Sequence, residues 1–290
     1  MQTGDRIIAD FDLDDAKISL IAPKPVCRFH EVYVGKRHLL AMYRSPAIEA
    51  RGRYVEAGRS EFTPIGSVFF RPAGLRLESQ GVRTSAGGLH CQIGDERLER
   101  AGVPTSDWSD SELEAALDVQ APHLFSYYAR LTNELANPGL GSDSIVDALL
   151  TIILADLARY VTKSRCPDEG GELQARMVRM VVERICDVWE TMPRVSELAD
   201  LAGVGERHLL RLFRQYKGVS LAEFIRETRL EKARFLLGQT DLPLKQVAHR
   251  LGFASHSTFT TAFRHETGLT PAAFRGQQRT RHFLCRMSAR

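Results

Sequence analysis

The chain has 290 residues, 43% of them hydrophobic and 26% charged, which is enough material for two separately buried cores. Its net charge of +3 conceals an imbalance: Glu172 to Arg290 holds 20 Lys and Arg against 12 Asp and Glu (+8), and residues 1–171 hold the other 19 and 24 (−5), so a basic half suits a polyanion and an acidic half would be repelled by one. Cys27, Cys91, Cys166, Cys186 and Cys285 include no close-spaced pair, which argues against a zinc site or a disulfide framework and fits a reducing compartment.

Met1 to Asp15 is polar and acidic, with only Ile7-Ile8-Ala9 apolar, so no signal peptide is expected. The longest apolar run, Ala148 to Ala155 between Asp147 and Asp156, is too short to span a bilayer. A soluble, cytoplasmic protein is the expectation. From about Ile18 to Gly94, short β-branched or aromatic runs alternate with turn residues. They predict strands at Phe29–Val34, Arg37–Tyr43, Gly66–Arg71, Leu75–Glu78 and Leu89–Ile93, in a small sandwich or barrel. The period then changes, and Ser109–Leu117, Pro122–Leu135 and Ser144–Val161 are predicted as helices. In the last of these, Ile145, Leu149, Ile152, Ile153, Asp156 and Leu157 recur at three-to-four spacing. Lys163 to Gly171 is polar and aperiodic and is taken as a linker. Leu173–Trp189 then opens the second half as a packing helix, with Met177, Met180, Val181, Ile185 and Val188 spaced for a core.

The stretch from Arg194 to Arg275 is the one whose spacing predicts a specific chemistry. In its first half, Ala199 and Gly203 stand four apart where two helices cross and turn, with Leu198, Ala202, Val204, Leu209 and Leu212 facing inward. Glu206, Arg207, Leu210, Arg211 and Arg214 are left on the outer face of the second helix. Ala248 and Gly252 repeat the device. Ser255 is the expected N-cap, and His256, Ser257, Thr260 and Thr261 are placed on the exposed early turns that follow. Between the units, Ser220 and Glu223 form a capping box. Leu221, Phe224, Ile225, Ala233, Leu236 and Leu237 are expected as one apolar stripe of a helix ending near Gly238 and Pro243. A spacer of roughly 25 Å would set two reading helices about one DNA turn apart.

These paired units, the run Arg229 to Leu237, Val247-Ala248 with Leu251-Gly252-Phe253, and the ending Gly268 to Arg275 resemble the transcription regulators of the AraC/XylS family, over roughly the last third of the chain. The resemblance implies a two-domain α+β protein. Residues 1–162 would be a small cupin-like β-barrel with trailing helices, sensing an effector and dimerising. Residues 163–172 would be the linker, and 173–290 an all-α DNA-binding domain with helix-turn-helix units at about 195–216 and 244–267. Carried over position by position, Arg207, Leu210, Arg211, His256, Ser257 and Thr261 are the candidate base readers. Arg207 and Arg211 suit guanine, Leu210 suits a thymine methyl, and Thr261 is short enough to reach only a phosphate. Arg214, Lys217, Arg250 and Arg264 are the phosphate candidates. The implied partners are double-stranded DNA, a second copy of the chain and RNA polymerase, with activation as the output. No cofactor is expected.

Phe29, Tyr33, Tyr43, Phe69 and His90 are the candidates to line an effector site, and Arg28, Arg44 and Arg71 could clamp an acidic one. Two alternatives stand beside the effector-responsive regulator. In one, the N-terminal domain only dimerises or binds a protein partner. In the other, it is a metal-dependent cupin enzyme fused to a DNA-binding module. The enzyme reading lacks the His-x-His pair such sites use, since His30, His38, His90 and His123 are scattered. No Gly-x-Ser-x-Gly elbow or phosphate-cradling loop is present either, so the chain is read as a non-enzyme.

Overall fold

The computed structural model describes residues 6–22, 27–43, 48–58, 61–83, 87–120, 124–165, 169–188 and 192–278. Its N-terminal half contains two antiparallel sheets. The first joins β1 (Ile7–Leu13), β2 (Ala16–Ile21), β4 (His38–Tyr43), β7 (Val68–Arg71) and β9 (Gly88–Ile93) in the order β1-β2-β9-β4-β7. The second joins β3 (Cys27–Val34), β5 (Ile48–Tyr54), β6 (Thr63–Pro64) and β8 (Arg76–Arg83) in the order β3-β8-β5-β6. Among the described residues no strand joins the two into a ring, so the expected closed barrel is replaced by two open sheets. They meet through side chains: the Tyr54 hydroxyl of β5 donates to the Phe70 carbonyl of β7 at 2.9 Å, and the Arg71 guanidinium lies 3.4 Å from the centre of the Tyr33 ring.

Strand alternation divides the five-stranded sheet into two faces. Ile18, Leu20, Leu40, Met42, Val68, Phe70, Leu89, Cys91 and Ile93 pack into one core with α1 (Asp95–Ala101), α2 (Asp110–Leu117), α3 (Leu124–Ala136) and α4 (Ser142–Arg165). Ser19, Leu39, Ala41, Tyr43, Phe69, Arg71 and His90 occupy the opposite face, the one from which Arg71 reaches the second sheet. β1, β2, β5 and β6 lie outside the strand spans expected from the sequence. In β1 the apolar positions alternate with Asp10 and Asp12, which point outward, and the hairpin to β2 turns at Asp15 with φ 53°. The three-to-four stripe of α4 is also resolved into two. Val146, Leu150, Ile153, Leu154, Leu157 and Val161 are buried on the sheet, and Ile145, Leu149 and Ile152 form a neighbouring, more open row with Ile152 45% exposed.

Most of the expected linker is helical. α4 runs to Arg165 and α5 spans Glu169–Asp187; Cys166, between them, lies outside the described residues, as do Arg44, His123, Trp189 and Cys285. α5, α6 (Val195–Ala202), α7 (Glu206–Lys217) and the start of α8 (Leu221–Gln239) enclose one core containing Val181, Ile185, Leu198, Leu209, Phe213 and Phe224. The rest of α8 builds a second core with α9 (Leu244–Arg250), α10 (His256–Thr267) and the helical residues 271–278. It contains Leu230, Ala233, Leu237, Val247, Phe259, Phe263 and Phe274. The expected single stripe along α8 is therefore two faces, one for each core, with Lys232 fully buried between them. Its ammonium donates to the carbonyls of Ile185 and Val188 at the end of α5, and burial pulls its pKa down to about 8.

Candidate nucleic-acid interface

The first helix pair is fixed by its turn. Gly203 adopts φ 67° and ψ 29°, and the amides of Gly203 and Val204 donate to the carbonyls of Asp200 and Ala199, which would otherwise be left unpaired at the end of α6. Leu209, Leu212 and Phe213 then lock α7 onto the core, leaving Arg207, Leu210, Arg211 and Arg214 exposed on the other side. Leu210 is 42% exposed, an apolar side chain presented to solvent among arginines. The Arg211 guanidinium lies 3.0 Å from His208 Nδ1, which holds it against its own helix.

In the second pair, Gly252 takes φ 71° and the amide of Phe253 donates to Ala248. Ser255 caps α10 by accepting from the Thr258 amide at 3.1 Å. Phe259 and Phe263 face the core, while His256, Ser257, Thr261 and Arg264 are exposed, and Arg250 is exposed at the end of α9. Thr260 differs from the sequence reading: it turns inward, and its hydroxyl is buried. The cap of α8 differs by half. Ser220 accepts from the Glu223 amide at 3.2 Å, but the return bond of a capping box is not made. An Arg226–Glu266 pair at 3.5 Å ties α8 to the far end of α10.

Lys217 stands apart from the other phosphate candidates. It closes α7, yet it is 4% exposed, and its ammonium lies 3.2 and 3.5 Å from the two carboxylate oxygens of Asp118 in the N-terminal half. In this arrangement it cannot reach a phosphate. Asp118 follows α2 and is itself held: Gln120 donates to it at 2.7 Å, and Gly66 leaves it room, since a Cβ there would come 1.8 Å from its Oδ1. The sequence carries no signal for this pair, whose members are 99 positions apart.

Of the N-terminal candidates, Tyr43, Phe69 and His90 come together. The Tyr43 and Phe69 rings stack at 6.2 Å, and the Tyr43 hydroxyl is 2.6 Å from His90 Nε2. Tyr33 joins them from the second sheet through Arg71. Phe29 instead lines a groove of about 650 Å³ with Arg28, His30, Glu49, Arg51 and Asp187. The other described histidines of the N-terminal half have separate partners. His30 meets Glu78 at 3.0 Å, and buried His38 accepts from the Ala73 amide at Nδ1 and faces Asp95 at 3.0 Å. Among the described residues no three metal-ligating side chains cluster. Burial pushes the thiols of Cys91 and Cys186 up to about 12, which leaves them unreactive.

A helix-turn-helix domain model matches residues 198–277. The chain is 35% identical over 82 residues to the probable transcription factor PqrA of Proteus vulgaris, covering 28% of this chain and 67% of that protein. It is 42% identical over 80 residues to the HTH-type transcriptional regulator GlxA of Rhizobium meliloti, covering 28% and 25%. Among solved structures, it is similar to an AraC-type transcriptional regulator of Chromobacterium violaceum at 30% identity and a TM-score of 0.33, over 38% of this chain and 96% of that one. The aligned stretch takes in less than half the length of GlxA and of an HTH-type regulator of Haemophilus influenzae, 25% and 46%. No helix among the described residues is long and apolar enough to cross a membrane.

Proposed function

The chain belongs to the AraC/XylS family of transcription regulators, and from that premise we propose that it binds DNA sequence-specifically and responds to a small effector. The observation that carries the DNA half is the pair of exposed helix faces, on α7 and α10, held by one rod. At 1.5 Å per residue, the 19 residues of α8 make about 28 Å, suited to two heads entering successive major grooves. Arg207 and Arg211 read guanines, Leu210 a thymine methyl, and His256, Ser257 and Thr261 the second half-site. Arg214, Arg250 and Arg264 position the phosphates. Lys217 is withdrawn from that set by Asp118.

The two-sheet domain takes the role of the cupin-like sensor that the resemblance implies. The more open row of Ile145, Leu149 and Ile152 on α4 is the surface for a homodimer. Recruitment of RNA polymerase, hence activation, follows from the family resemblance.

Fluorescence anisotropy on the duplex flanking the chain's own gene, against random duplex, tests the DNA half. Arg211→Ala is expected to cost about 5- to 150-fold on the specific site, corresponding to 1–3 kcal/mol, and little on random DNA. Equal losses on both would make Arg211 a phosphate contact. In vitro transcription that shows repression only would overturn activation.

A further inference from the structure

Four Lys and Arg side chains are buried among the described residues: Arg71, Arg97, Lys217 and Lys232. Three of them have oxygen acceptors. Arg97 donates to the Asp14 carbonyl, to Asp147 and to Thr151. Lys217 has Asp118, and Lys232 has two carbonyls. Arg71 is the exception. It is 7% exposed, its Nε is buried without a hydrogen-bond partner, and no carboxylate among the described residues forms an ion pair with it. An unpaired buried guanidinium is costly and does not escape by losing its proton.

Aromatic side chains surround Arg71. Its guanidinium carbon lies over the Tyr33 ring, 3.4 Å from the ring centre. On the same face of the sheet Phe69 precedes it by two positions, stacked on Tyr43, whose hydroxyl meets His90. Tyr33, Tyr43, Phe69 and His90 are each only partly buried, so this aromatic face is open at its rim while its cation is deep. A second orphan lies on the same face. Ser19, the register partner of His90, is 2% exposed, and its hydroxyl has no partner.

From this arrangement we propose that the bay between the two sheets binds a small organic acid, its carboxylate paired with Arg71 and its apolar or aromatic body laid along Tyr33, Phe69 and Tyr43. A carboxylate supplies the two coplanar oxygens a guanidinium fork takes, and the rings supply an apolar wall for the remainder. Burial disfavours the charged guanidinium, the direction expected of a cation awaiting its counter-ion. The inference rests on the reading of this domain as an effector sensor and supplies the ligand class.

The test uses the full-length protein, with phenylacetate and hexanoate as probes, their uncharged amides as controls, and inorganic phosphate as the competing anion. Thermal melts should show at least one carboxylate raising Tm by about 5 °C at saturating concentration, with its amide and phosphate inert. Arg71→Met should weaken that binding by about 10- to 150-fold, the range for a lost charged hydrogen bond. It should also leave the ligand-free Tm unchanged or higher, because an unpaired charge is removed. A clear fall in ligand-free Tm for Arg71→Met would make the residue structural and overturn the site, as would a response to phosphate or the amides, or no response to either acid. DNA affinity of the same preparations keeps the two readings separable. Carboxylate binding without any change in DNA affinity supports the site and removes the sensor; intact DNA binding with no carboxylate response overturns the site alone.

Discussion

Removing the Asp118 carboxylate should loosen the hold of the N-terminal half on the first reading helix. In Asp118→Ala, the Lys217 ammonium, 5% exposed at the side chain, loses both oxygens it faces. Stripping one partner from a buried pair costs about 3–5 kcal/mol, roughly 150- to 5,000-fold in the closed form. The chain can avoid the full penalty by opening, which returns Lys217 to water, so the measured loss is capped by the free energy of docking. The reverse change is milder: in Lys217→Met, Asp118 keeps the Gln120 amide at 2.7 Å. The double variant Asp118→Leu/Lys217→Met removes the buried orphan charge and loses only the weaker Gln120 hydrogen bond, so it should recover most of the loss in Tm. Scanning calorimetry with small-angle scattering on the four proteins reads both outcomes: Asp118→Ala should lower Tm or enlarge the radius of gyration, and the double variant should largely restore both. If Asp118→Ala matches the wild type, or if the double variant is as impaired as the single, the orphaned-charge argument is wrong.

Gly203 has open space around its missing side chain, so only its backbone angle matters. Gly203→Ala should cost about 1 kcal/mol in stability and Gly203→Asn clearly less, since Asn tolerates left-handed backbone; equal losses in urea titrations would refute this. Burial, opposed by Asp95, holds the His38 imidazole below its ordinary pKa, and the Ala73 amide also requires an unprotonated Nδ1. The unfolded chain therefore takes up the proton first, so the contribution of His38 is present above a pH of about 6.5 and is lost as pH falls below it. Wild-type Tm should drop more steeply than that of His38→Gln between about pH 6.5 and 5; parallel curves would show that His38 is not responsible.

The C-terminal half is legible in the sequence because its information is local. Gly203, Gly252 and Ser255 fix turns and a cap within a few residues, and the exposed faces of α7 and α10 follow from helical period. What escaped depends on distant neighbours. β1 was obscured because Asp10 and Asp12 read as polarity when they are the outward half of an alternation. The apolar positions of α8 read as one stripe because the sequence does not say that two cores lie on different sides of it. Nothing local marks Lys217 for Asp118, or Arg71 for a burial that leaves it unpaired; both depend on how sheets and helices from separate segments meet.

Because each end of α8 is anchored in its own core, the distance and the angle between the exposed faces of α7 and α10 are written in residue count. One residue inserted in the middle of α8 would advance the second head by about 1.5 Å and rotate it by about 100°. Lys232, whose ammonium bonds the end of α5, would resist any smaller slip. A chain built this way would be expected to change its preferred operator spacing in whole-residue steps, and not by gradual bending of a joint.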